Sequence, residues 1–314
     1  MLHHRLLLFG ITVLFLTLGT AGSVFSALRI GTLPAADSII LHVAADEGLF
    51  AEQGLEVEVV PFQSALELGA AMRGKVLDGH FGDIINVLMQ NENGAPQAIV
   101  ATTSHSTPSA RYFGIVVPPQ STARTLADLK GKDIAISSAT IIDFLLADLL
   151  REEKLPPDFL NRQDIRQISV RLQMLLSGQI ESALLPEPLV SLVEARGART
   201  VLDDRGLNTP LAVIALKRSV IDAPDGASTV AGFREALRKA AERINAAPEK
   251  YRSVMEAKGL LPKGISVHYA MVRFDMRETP LGLPTEQDIR SFADWMQAGR
   301  MLRRTPAHKD VVCP

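Results

Sequence analysis

Cysteine is almost missing from this 314-residue chain, which carries one, Cys313. A single thiol cannot close an intrachain disulfide, and without a Cys cluster structural zinc and iron–sulfur centres have no ligands. Aromatic residues are scarce at 5%, which argues against a platform of many stacked rings. Positive charge is not in excess either: 33 Lys and Arg stand against 35 Asp and Glu, a net charge of −2. That balance leaves no electrostatic footprint for nucleic acid. What is present, 47% hydrophobic and 22% charged residues, is ample for a core and excludes a mainly disordered chain. The length suits one large domain or two ordinary ones.

Catalytic and metal motifs are equally thin. No G-x-G-x-x-G, G-x-S-x-G or H-E-x-x-H occurs. Gly69 to Lys75 has the spacing of a phosphate-binding loop, but Val76 stands where a hydroxyl should hold magnesium and the run closes a helix. His3 and His4 lie in the leader; His42, His80, His105, His268 and His308 are dispersed without metal-ligand spacing. Cys313 is penultimate and no candidate nucleophile. The expectation is a protein without metal or cofactor that is not an enzyme.

Residues 1–26 read as an export signal. Arg5 precedes the apolar run Leu6–Leu18, and Val24-Phe25-Ser26 before Ala27 fits a small-residue cleavage site. The uncharged stretch Leu6–Leu28 would reach across a bilayer, but its apolar centre falls short of the ~20 residues of a spanning helix. No Cys stands at the end of the run, where a bacterial lipid anchor would need one. An exported chain without disulfides suits the bacterial periplasm, where a large core replaces staples.

Beyond the leader, strands and helices alternate. Strands are expected at Leu28–Leu33, Leu55–Val59, Val76–Phe81 and Ala98–Thr102, with helices over Ser38–Phe50, Ala65–Met72 and Ile84–Gln90. A second set has strands at Phe113–Val117, Asp133–Ser137, Ile165–Ser169, Ser182–Leu185 and Thr200–Leu202, and helices near 140–153, 171–177 and 188–196. Strand Leu211–Leu216 then leads into helices over 227–246, 248–258 and 285–298; Thr285 with Asp288 resembles a capping box. The rhythm predicts an α/β fold of mostly parallel sheets flanked by helices.

An internal echo adds detail. Met72–Asp83 can be laid over Leu176–Glu187 at an offset of 104 residues: helix, Gly stop, short strand, carboxylate. This predicts two similar lobes with Asp83 and Glu187 at corresponding strand ends, where ligands of open sheets gather. Pro186-Glu187-Pro188 holds Glu187 in a rigid turn. Ser137-Ser138-Ala139-Thr140 precedes a helix and is either an N-cap or an oxyanion site; Pro34 to Ser38 is its counterpart. Arg111 either meets a ligand or pairs with an acid, and His105 is a weaker candidate.

The run from Arg29-Ile30-Gly31 through Gly48-Leu49-Phe50 and Gly54-Leu55-Glu56-Val57 resembles the opening of nitrate/sulfonate/taurine-type solute-binding proteins of ABC importers. Gly74 with Asp78, Leu126–Gly131, Leu184–Pro188, and Trp295 with Gly299 extend the likeness over about 28–312. The resemblance implies a two-lobed type II periplasmic-binding-protein fold, with lobes of 28–112 plus 208–314 and 113–207. It implies solute trapped by hinge closure, a monomer, and a cognate permease and ATPase as partners. Carried over by position, the cleft takes Pro34, Asp37, Ser38, Gly82, Asp83, Ser137, Ser138, Thr140, Leu185 and Glu187. The aromatic usual after the first strand's Gly is absent, and Pro186 replaces the common ring before Glu187. The family includes relatives that bind thiamine-precursor pyrimidines, and the fold includes a pyrimidine-precursor synthase whose Cys-rich motif this chain lacks.

The cleft chemistry points two ways. Asp83 and Glu187 want hydrogen-bond donors, as on an amine or aminopyrimidine, because desolvated carboxylates left unpaired are costly. Ser137, Ser138 and the helix start favour a sulfonate or another oxyanion. A small nitrogen-containing solute is the expectation; sulfonate or taurine import and an exported sensing domain are the alternatives.

Overall fold

The computed structural model describes residues 27–262, 269–270, 273–274 and 281–314. The expected signal at 1–26 and its cleavage site, like His268, lie outside the described residues. The chain runs β1 (Leu28–Thr32), α1 (Ile39–Asp46), β2 (Val57–Pro61), α2 (Ala65–Arg73), β3 (Gly79–Gly82), α3 (Ile84–Glu92) and β4 (Gln97–His105). It continues through β5 (Phe113–Val117), β6 (Asp133–Ile136), α4 (Ile141–Glu152), β7 (Asn161–Asp164), α5 (Ile168–Ser177), β8 (Ala183–Pro186), α6 (Leu189–Glu194) and β9 (Arg199–Asp203). Strand β10 (Pro210–Lys217) and helices α7 (Arg218–Ile221), α8 (Gly226–Ala246), α9 (Arg252–Ala257), α10 (Glu286–Ala298) and α11 (His308–Val311) complete it.

Two five-stranded sheets result, ordered β2-β1-β3-β10-β4 and β7-β6-β8-β5-β9. Each has four strands running one way and one reversed: β10 is antiparallel to β3 and β4, and β5 to β8 and β9. Strands β3 and β8 hold equivalent places and begin 104 residues apart, Gly79 against Ala183, so the sequence echo marks a repeated lobe. Both sheets are covered on two faces. In the first, Ile30, Phe81 and Ile214 pack with Ile40, Phe233 and Leu237 of α1 and α8. On its other face Ile99 and Val213 meet Ile85, Phe292 and Met296 of α3 and α10. In the second, Ile115, Ile134 and Leu184 meet Leu145 and Leu149 of α4, and Val116 and Ala135 meet Leu175 and Val193 of α5 and α6.

Two expected strands shift. The one placed at Ile165–Ser169 lies upstream as β7, whose largely exposed Asn161-Arg162-Gln163-Asp164 has no apolar alternation; Ile168 already belongs to α5. The strand placed at Val76–Phe81 begins only at Gly79. A Cβ there would sit 2.5 Å from the Ala215 carbonyl oxygen, so only glycine lets β10 approach. The capping box at Thr285 and Asp288 is formed.

The two crossovers between the sheets are stitched to each other. Ser106 Oγ accepts from Thr209 N at 2.7 Å and donates to Thr209 O at 3.2 Å. Asp204 Oδ1 accepts from Tyr112 N and Phe113 N at 2.9 and 3.0 Å, while its Oδ2 is buried without a partner. Burial pushes the Asp204 carboxyl up to about 6 against those two donors. A folded-state value above the ordinary 3.8 means that its ionisation costs stability as pH rises from about 4 to 6. Asp204→Asn keeps an acceptor for both amides and removes the buried charge. Its melting temperature relative to the parent should therefore climb by several degrees between pH 4 and pH 7; a flat difference would show that Asp204 ionises without penalty.

Candidate functional site

A cavity of about 210 Å³ lies between the two sheets at their facing loop ends. From the first lobe it is walled by the turn Leu33–Asp37 after β1, by Phe81-Gly82-Asp83 at the end of β3, and by one side of α2 and α3. From the second come Ser137–Ile142, Arg166, Ile168, Pro186 and Glu187, with Tyr112 and Phe113 from the crossover and Tyr269 from the C-terminal part. Eight expected site residues line it: Pro34, Asp37, Gly82, Asp83, Ser137, Ser138, Thr140 and Glu187. Four do not. Ser38 is buried and donates to Ala35 O at 2.8 Å, and Leu185 is in the second-lobe core. A ring nitrogen of His105 lies 3.0 Å from Ser106 O. Arg111 stands behind the wall, bound to two acids.

That last pairing changes the electrostatics expected of Glu187. Arg111 Nε and Nη2 donate to Glu187 Oε1 at 2.9 and 2.7 Å, Ser191 Oγ and N occupy the same carboxylate at 3.1 Å each, and Arg111 also reaches Glu194. The sequence reading had Glu187 awaiting donors from a ligand; the chain itself supplies them. Desolvation of Arg111 is outweighed by the two acids, which hold its guanidinium firmly charged.

The helix start after β6 is likewise occupied. Ser138 N donates to Asp164 (2.9 Å), Ala139 N to Asp143 (3.1 Å), Ile141 N to Asp83 (3.1 Å) and Ile142 N to Thr140 Oγ1 (3.3 Å). Of the two readings the sequence left open, an N-cap or an oxyanion site, the structure shows the cap: Thr140 takes one amide and three of the protein's own carboxylates take the others. Asp83 is the unusual member. Its Oδ1 caps α3 through Asn86 N at 2.7 Å while its Oδ2 caps α4 of the opposite lobe. Burial raises the Asp83 carboxyl against these backbone donors.

Asp37 differs from both. It is buried in the short 3-10 turn Ala36–Ser38 and accepts from Thr103 Oγ1 at 2.6 Å, with Ser104 adding a second hydroxyl. No ion pair reaches it among the described residues, and burial pushes its carboxyl up despite the hydroxyls. A desolvated carboxylate facing a cavity is an acceptor for donor-bearing groups. Tyr269, whose phenol burial and the nearby Glu187 and Asp37 carboxylates push up, was missed by the sequence reading, as were Arg73, Asn86 and Gln90 on the α2–α3 side. Asn86 and Gln90 do share one face of α3 at i, i+4, which is the signal that could have found them. Among the described residues no His or Cys lines the cavity and no cluster of three or more His, Cys, Asp or Glu could hold a metal.

Two lobes with one reversed strand each and a cavity between them define the periplasmic-binding-protein fold. The chain belongs to the NMT1/THI5-like family, whose pattern it matches over residues 35–251. Among solved structures it is similar to the alkanesulfonate-binding protein SsuA from Xanthomonas axonopodis pv. citri bound to MOPS, at 21% identity and TM-score 0.75 over 91% of this chain and 98% of that one. It is also similar to the periplasmic aliphatic sulphonate binding protein SsuA from Escherichia coli, at 16% identity and TM-score 0.73 over 92% of each. A DszB variant in complex with biphenyl-2-sulfinic acid shares the fold at 14% identity and TM-score 0.68, over 92% of this chain and 96% of that one. No curated protein sequence matches the chain.

Proposed function

We propose that the protein is the extracytoplasmic solute-binding component of an ABC importer, taking a small nitrogen-containing solute such as an amine or aminopyrimidine between its lobes. In this reading the lobes span 28–112 plus 208–314 and 113–207, and the stitched crossovers are the hinge. The loaded, closed monomer is handed to a cognate permease and ATPase from the periplasm. The observation that carries it is Asp37: a buried carboxylate facing the cavity, with no cation paired to it among the described residues. A bare nitrate cannot satisfy that acceptor, whereas an N–H donor can. Family membership and the fold support binding.

The test is a thermal-shift panel of amines, aminopyrimidines, ethanesulfonate and nitrate on protein refolded to strip carried-over solute. A solute at 100 times its dissociation constant adds roughly 2.7 kcal/mol, several degrees of melting temperature. Nitrogen donors should give that shift. Shifts by ethanesulfonate or nitrate alone would overturn the reading.

A further inference from the structure

Arg171, which the sequence gives no reason to single out, is fully buried at the first turn of α5. Its Nη1 donates to Ser137 Oγ at 2.9 Å and to Ile165 O at 3.2 Å, while Nε and Nη2 have no partner. Among the described residues no carboxylate pairs with it. The acid that acts on it most, Asp164, is already held by Ser138 N and Arg166 Nε. Burial draws the guanidinium down to about 10, which still leaves it charged at neutral pH. A buried cation without a counter-ion is costly, and one kept this way needs a compensating anion from elsewhere.

Ser137 is the route by which that charge reaches the cavity. Its oxygen already accepts from Arg171, so the proton is what it has to offer; that proton now goes to Arg166 O at 3.3 Å. The hydroxyl is thereby fixed as a donor, and because Ser137 lines the cavity a solute oxygen that takes the place of Arg166 O would receive its proton. Arg166, on the same wall, adds a second cation against the single Asp164. Across the cleft Asp37 is the complementary case, an acid without a cation. Each lobe thus holds one buried ionisable group without an opposite charge among the described residues, Asp37 at the cavity wall and Arg171 behind Ser137.

We propose that the cavity is built for a dipolar solute, in which the nitrogen donor facing Asp37 is joined to a carboxylate-class acid that faces Ser137 and Arg171. This rests on the nitrogen-donor reading above and adds the second pole. Arg171 acts as a positioning residue, setting the polarity of Ser137 without touching solute. The solute then neutralises both buried charges on closure.

Matched pairs that differ only in the carboxylate test it on the whole protein by calorimetric titration: arginine against agmatine, ornithine against putrescine, β-alanine against ethylamine. At least one acid-bearing member should bind tenfold or more tighter than its partner. That advantage should fall below threefold in both Ser137→Ala and Arg171→Met, and Arg171→Met should melt no lower than the parent. Equal binding within every pair, an advantage that survives both substitutions, or an Arg171→Met protein that fails to fold would overturn the second pole. Binding of a plain amine or aminopyrimidine in the absence of any acid advantage would do so too, while leaving the nitrogen-donor reading standing. Acid-dependent binding that Asp37→Asn leaves unchanged would strike that reading instead.

Discussion

Asp37→Asn is expected to lower affinity for a nitrogen-donor solute about a hundredfold, or ~2.7 kcal/mol, while raising the melting temperature of the empty protein. The two effects share one cause. Asparagine still accepts from the Thr103 hydroxyl, so the turn keeps its shape, but the charge that would meet the solute is gone. That charge is also what the fold tolerates poorly, since burial raises the Asp37 carboxyl above its ordinary 3.8. Ionisation therefore costs stability at neutral pH and nothing below about pH 4, where both states are protonated. The melting gain of the variant should be largest near pH 7 and vanish in acid. A residue that destabilises the fold where it serves binding is the usual stability–function conflict. Unchanged affinity in titrations of the variant would remove Asp37 from the site.

The second large effect belongs to Asp83. Asp83→Ala strips the cap from α3 and from α4 in one step. Each lost cap costs about 1 kcal/mol, and relief of the buried charge offsets part of the sum. A net loss of roughly 1–2 kcal/mol corresponds to a melting drop of several degrees in a protein of this size. The more telling readout is shape. Because one of the two capped helices lies in each lobe, the empty variant should scatter X-rays with a larger radius of gyration than the parent. Asp83→Asn, which has one oxygen for two amides, should fall between. An alanine variant with parental scattering would show that the carboxylate does not hold the lobes together.

Much of this arrangement is legible in the residues. The periodicity puts β5 at Phe113–Val117 without error, and the 104-residue echo pairs β3 with β8 and Asp83 with Glu187. The failures are physical. β7 is a largely exposed edge strand, so its polar residues show no alternation, and reading the strand on to Ser169 hid the first turn of α5. Placed correctly, that helix puts Arg171 on the buried face four residues from Leu175, a position the helical period assigns to an apolar residue. Which acid pairs with which base is not legible, because Arg111 and Glu187 are 76 residues apart. Nor can spacing reveal that Asp143, Asp164 and Asp83 converge on one helix start.

The reversed strands set the order in which the molecule can be built. All five strands of the second sheet lie in one continuous stretch from Phe113 to Asp203. The first sheet cannot close until β10 arrives, since Ile214 pairs with Phe81 on one side and Ala101 on the other, contacts more than a hundred residues distant in the chain. Until then β3 is an edge paired only with β1, and β4 has no partner strand. Such long-range pairing folds slowly, so a chain emerging from its N-terminus stays unfinished in its first lobe until the second has been made. The N-terminal half is thus the last to become rigid.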